Sequence, residues 1–114
     1  MKLDTDNYKL TIYTEDACPD CLELKEKLTE EKIPFENKSI THASDRTNTE
    51  NWDKEKADNR WDFVDLSREY PNNVKFTPVM VIDSIEGKRM VWSLTGGFEN
   101  AEDALQIVKE NYCI

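Results

Sequence analysis

The stretch Thr14-Glu15-Asp16-Ala17-Cys18-Pro19-Asp20-Cys21-Leu22 decides how this chain reads. Ahead of it, Tyr8 to Thr14 alternates and is rich in β-formers. A strand is expected there, with Tyr8, Leu10 and Ile12 on one face. Behind it, a helix is expected over about residues 18–31. Leu22, Leu24 and Leu28 supply its apolar positions, and Cys21 and Lys25 fill that side. Pro19 suits a first helical turn, where its missing N–H costs nothing. The stretch therefore places two cysteines, three residues apart, at a strand-to-helix junction.

That junction gives the pair its chemistry. Cys18 falls at or just before the first helical residue, where backbone N–H groups point outward and the helix dipole is positive. Both favour thiolate, the nucleophilic form. Cys21 lies on the same side of the helix within sulfur–sulfur reach, so it can attack a mixed disulfide formed at Cys18. The rival reading is half of a zinc site, which needs two more ligands. His42 stands alone, and Cys113 lies at the far C-terminal end with no second ligand beside it. A chance Cys-x-x-Cys is the third reading.

Outward from the pair, Ile33-Pro34-Phe35-Glu36-Asn37-Lys38-Ser39-Ile40 reads as a second strand. Strand, helix and strand make a right-handed βαβ unit with parallel strands. Residues 41–49 are polar and loop-like. Residues 50–70 read as a helix, with Ala57, Trp61 and Val64 and then Phe63, Leu66 and Tyr70 tracing its apolar stripe. Trp52 would extend that stripe one turn earlier. Pro71-Asn72-Asn73 ends it. Val79-Met80-Val81-Ile82-Asp83 is a short apolar run, expected as a strand buried on both faces. A turn over residues 84–87 returns the chain as Arg89-Met90-Val91-Trp92-Ser93, the second arm of a hairpin. Asn100 can cap a last helix, with Asp103 three residues on. Ala101, Ala104, Leu105, Val108 and Tyr112 face inward on it, with Ile107 beside them. No repeat or linker interrupts the chain, so one domain over residues 1–114 is expected.

Two further features bear on the dithiol. Thr77-Pro78 stands just before the buried strand. A proline there is tolerated at a strand's first position. A cis X-Pro bond would instead leave Thr77 backbone groups free to pair with an extended peptide. Gly96-Gly97 is either a simple hairpin-to-helix bend or a backbone surface that binds a carboxylate at the following helix.

The order of these pieces resembles the glutaredoxins over nearly the whole chain. The resemblance rests on Tyr13-Thr14 with Cys18-Pro19-Asp20-Cys21, on Thr77-Pro78-Val79, and on Gly96-Gly97-Phe98-Glu99-Asn100. It implies an α/β, thioredoxin-like fold with a four-stranded mixed sheet flanked by three helices, and a cis Thr77–Pro78 bond. Cys18 is then the nucleophile and Cys21 the resolving thiol. Pro19, Asp20, Thr77, Pro78, Gly96, Gly97 and Phe98 would line the substrate groove. No metal and no tightly bound cofactor are implied. The partners would be a disulfide-containing protein and a reductant, either glutathione or a thioredoxin reductase-like protein.

Three places in the chain depart from that pattern. Glu15, followed by Asp16, stands where the family commonly carries a lysine, and Asp20 where an aromatic residue is usual. Phe98-Glu99-Asn100 replaces a frequent pair of aspartates. Glutathione carries two carboxylates, so acidic neighbours weaken its binding. At an effective dielectric of about 20, a like charge at roughly 6 Å costs on the order of 2–3 kcal/mol before screening. A helix terminus at a surface contributes roughly 0.3–1 kcal/mol. The motif thus identifies the reaction better than the reductant. Lys75 and Arg68 are the cations expected to restore positive charge if the 50–70 helix packs near the groove.

Composition bounds the rest. The 114 residues are 38% hydrophobic and 34% charged, with a formal net charge of −9. That charge argues against nucleic acid and anionic membrane as partners. Three cysteines do not make a disulfide framework. No apolar signal core opens the chain and no run approaches the roughly 18 apolar residues of a membrane span. A cytoplasmic protein is expected, and in a reducing cytosol a Cys-x-x-Cys pair is catalytic or metal-binding rather than structural. The segment over residues 41–76 is longer than the family's usual connection and should form an enlarged helical segment beside the site. Trp52 and Trp61 read most simply as core or cover, and more sharply as a docking surface. The contrasting function class is a non-catalytic thioredoxin-like binding module or redox sensor.

Overall fold

The computed structural model describes residues 2–40 and 54–114. Trp52, His42 and the expected loop over residues 41–49 lie outside the described residues. Strand β1 (Tyr8–Glu15) leads into helix α1 (Pro19–Glu30) and strand β2 (Glu36–Ile40). Helix α2 (Lys54–Glu69) follows, then β3 (Phe76–Ser84), β4 (Arg89–Leu94), β5 (Gly97–Phe98) and helix α3 (Ala101–Asn111). The strands form one mixed sheet in the order β2-β1-β3-β4-β5. β1 pairs parallel with β2 and antiparallel with β3. β3 and β4 are antiparallel, and β5 runs parallel to β4.

The expected α/β architecture stands, with five strands where four were expected. The addition is the pair Gly97–Phe98, which folds back against Ser93 and Leu94. Gly97 makes the return at φ 131°, a backbone region that side chains rarely adopt. Its bare Cα faces the Trp92 ring, which an added Cβ would meet. Two other bounds move, and residues 50–53 of the expected 50–70 helix lie outside the described residues. β2 begins at Glu36 because Pro34 lacks the N–H that a parallel ladder needs. Helix α2 is described from Lys54. β3 begins at Phe76, so Thr77 and Pro78 lie inside it, at an irregularity in its register between Phe76 and Val79.

Both faces of the sheet are covered. Leu10, Ile12, Met80 and Ile82 point to one side and pack on Leu24 and Leu28 of α1 and on Ala101, Ala104 and Val108 of α3. Tyr13, Val79, Val81 and Val91 point to the other and pack on Leu66, with Phe63 and Tyr70 partly buried beside them. The period-two alternation of β1 and β3 therefore supplies two cores, one per face. Truncating a fully buried leucine such as Leu24 or Leu28 to alanine costs roughly 2–5 kcal/mol in such a setting. Lys27 pairs with Glu102 at 3.1 Å and Lys109 with Glu31 at 3.4 Å, both linking α1 to α3. No helix among the described residues is long and apolar enough to cross a membrane.

Candidate active site

The carboxyl end of β1 delivers the dithiol. Ala17 takes a left-handed backbone at φ 58°, turning the chain from β1 into α1. Cys18 then occupies the N-cap position with extended backbone, and Pro19 opens the helix. The Cys21 N–H donates to Cys18 Sγ at 3.2 Å, and the Leu22 N–H donates to the Cys18 carbonyl at 3.1 Å. The first sulfur thus sits where unpaired helix N–H groups are concentrated. Cys18 and Cys21 are disulfide-bonded, their Cα atoms 5.2 Å apart, which lies within the ordinary range for such a bridge.

The two sulfurs differ in access. Cys18 is half-buried, whereas Cys21 is only 1% exposed, on the inward face of α1 with Leu24 and Leu28. Cys18 Sγ lies 3.8 Å from both the carbonyl oxygen and the hydroxyl of Thr77. The Thr77–Pro78 bond is cis. Pro78 is buried, and Pro19 is exposed at the helix start with Asp20 beside it.

The glycine turn closes the same end of the sheet. Ser93 is buried; its hydroxyl donates to the Asn73 carbonyl at 2.6 Å and accepts from the Lys75 N–H at 2.8 Å. Gly96 packs into this corner, where an added Cβ would collide with the Asn73 carbonyl. Close packing thus accounts for both glycines. Gly97 is exposed, while Phe98, expected at a groove, puts its side chain in the core at 3% exposure against α3. An aromatic ring beside a short parallel strand is driven inward by its own apolar area.

Charge around the dithiol is arranged differently from expectation. Asp16 is paired with Lys56 of α2 at 2.7 Å. Lys75 and Arg68 are exposed, and among the described residues Lys56 is the one seen paired to the loop. The sequence carries no local signal for this pair, because its members lie 40 residues apart. An open cleft of about 450 Å³ lies beside the pair, lined among others by Thr14, Glu15, Leu22, Lys25 and Ser39. Buried Thr14 donates its hydroxyl to Asn37 Oδ1 at 2.8 Å, fixing the cleft's inner wall. The described residues hold no group of three or more His, Cys, Asp or Glu side chains able to bind a metal ion.

Parallel β1-α1-β2, an antiparallel β3-β4 hairpin, a closing α3 and a cis proline beside an N-cap cysteine define a thioredoxin-like fold that carries a Cys-x-x-Cys dithiol. No protein-family model matches the chain, and no curated protein matches it. Among solved structures it is similar to a DsbH oxidoreductase, at 14% identity and a TM-score of 0.46, over 93% of this chain and 73% of that one. The fold class rests on the strand order and the helices given above.

Proposed function

We propose that the protein is a dithiol–disulfide oxidoreductase of the glutaredoxin type that reduces protein disulfides or glutathione mixed disulfides. One observation carries this reading: an accessible sulfur caps α1 while its partner sulfur is sealed one turn inside. The Cys18 thiolate attacks a substrate disulfide, forming a Cys18–substrate bond and expelling the first substrate thiolate. Cys21 loses its proton and attacks Cys18, forming the intramolecular disulfide and expelling the second. The substrate gains two electrons and the dithiol loses two. A thiol reductant then restores Cys18 and Cys21, entering at Cys18 because Cys21 offers no surface. Thr77 and the turn at Gly96 and Gly97 border the groove in this reading. Phe98 acts there only through its backbone.

The reductant is glutathione or a reduced protein, and a reducing cytosol is the compartment the reading requires. Asp20 near the thiol favours a protein reductant over the doubly carboxylated glutathione. The test is to reduce the oxidised protein with glutathione and glutathione reductase in one arm, and with a thioredoxin reductase in the other. Turnover in either arm supports the oxidoreductase reading and names the reductant. Failure in both arms, with the fold intact, removes it. The second reading, a non-catalytic binding module, is favoured by Trp61, which is 67% exposed on α2. It requires negligible reductase activity together with partner binding that survives replacement of both cysteines by serine.

A further inference from the structure

Two large apolar side chains stand exposed on the segments that carry the site. Leu22, 56% exposed, lies in the first turns of α1 and lines the cleft with Cys18 and Pro19. Phe76, 63% exposed, precedes Thr77, whose oxygens are 3.8 Å from Cys18 Sγ. Pro19, next to Cys18 in the chain, is also exposed. A helix interior would bury Leu22, yet Cys21, Leu24 and Leu28 occupy the inward positions and turn it to solvent. Leu22 thus offers an apolar contact in the cleft beside the reactive sulfur.

The flank of that surface is acidic. Asp20, Glu23 and Glu26 follow Pro19 and Leu22 on α1. Glu23 and Glu26 are exposed, and none of the three makes an ion pair among the described residues. Lys25 is half-buried toward the cleft and Lys75 precedes Phe76, so the surface is not uniformly negative. The chain as a whole carries −9.

We propose that the docking partner at the dithiol is a cationic protein segment. It would set an apolar side chain against Leu22 in the cleft beside Cys18 and lay basic residues along Asp20, Glu23 and Glu26. This rests on the dithiol reading and adds the class of its substrate. Opposite charge at the rim of such a surface raises association rates and is screened by salt.

The test uses three peptides with one shared intramolecular disulfide core and apolar neighbour, flanked by lysines, by serines or by glutamates. Bis(2-hydroxyethyl) disulfide serves as the small neutral control. With the reduced protein, the lysine peptide is expected to exceed the glutamate peptide in kcat/KM by roughly tenfold or more at low salt. The gap should collapse in about 1 M salt, where the Debye length is about 3 Å. A combined Glu23→Gln and Glu26→Gln variant should bring the lysine-to-serine ratio toward one through KM. Glu110→Gln, the same kind of charge change on α3, should leave that ratio alone. Equal rates for all three peptides, or a ratio indifferent to the α1 variant, overturn the docking proposal while the dithiol reading stands. If neither the peptides nor the small control is reduced, the dithiol reading itself falls, and the docking proposal with it.

Discussion

The Lys56 ammonium stands 2.7 Å from the Asp16 carboxylate, so α2 is tied directly to the turn that carries the dithiol. Asp16 reads as a bare negative charge beside Cys18 in sequence, and in the fold it is compensated. Lys56→Met should cost little stability, roughly 0.2–1 kcal/mol, since the pair is solvent-exposed on the Asp16 side. It should nevertheless slow alkylation of reduced Cys18 at neutral pH, because the uncovered carboxylate opposes thiolate. High salt should restore the rate. Stopped-flow alkylation checks this; an unchanged rate at low salt would show that Asp16 does not act on the sulfur.

Ser93 joins β4 to the entrance of β3 by holding Asn73 and Lys75 at once. Ser93→Ala leaves a backbone carbonyl and an N–H without that partner, which costs roughly 1–3 kcal/mol. Thermal unfolding should move down by about 4 °C or more for each kcal/mol. A Tm equal to the parent's would mean that water or a backbone shift replaces the hydroxyl.

The three cysteines should react in a fixed order in the reduced protein. Cys18 is accessible at a helix N-terminus and should be alkylated first. Cys21 is sealed and should follow slowly. Cys113 sits near the end of α3, paired with Leu3 across an isolated bridge, and burial pushes its thiol up from its ordinary value. Less of it is thiolate at neutral pH, so its alkylation should be slow at pH 7 and speed up above pH 9. Cys113→Ser should leave disulfide reduction unchanged. Peptide mapping after timed alkylation reads the order directly, and early labelling of Cys113 would contradict it.

Much of this was legible in the chain. Leu10 and Ile12 alternate on β1 and do share one core face, and Asn100 does cap α3, accepting from the Asp103 N–H at 2.9 Å. These are local signals carried by period and by cap chemistry. The cis Thr77–Pro78 bond, implied only by resemblance, is present. What could not be read depends on tertiary packing. Leu22 matches a helical apolar stripe, yet it is left outside because Cys21 takes the buried position. Trp61 continues the Ala57 line on α2 but points to solvent, since α2 rests on the sheet through Leu66 and Phe63. Phe98 reads as groove from its place after two glycines and goes inward because a fifth strand forms. The Lys56–Asp16 pair joins elements whose meeting no pattern of residues announces.

The central claim is that Cys18 attacks and Cys21 resolves. The most direct measurement is to react a Cys21→Ser variant with a disulfide peptide and map the adduct by mass spectrometry, beside Cys18→Ser. A stable mixed disulfide at Cys18 in the first variant, and little or none at Cys21 in the second, is the predicted result. Equal or better trapping by Cys18→Ser, with nothing captured at Cys18 in the Cys21→Ser protein, would contradict the account.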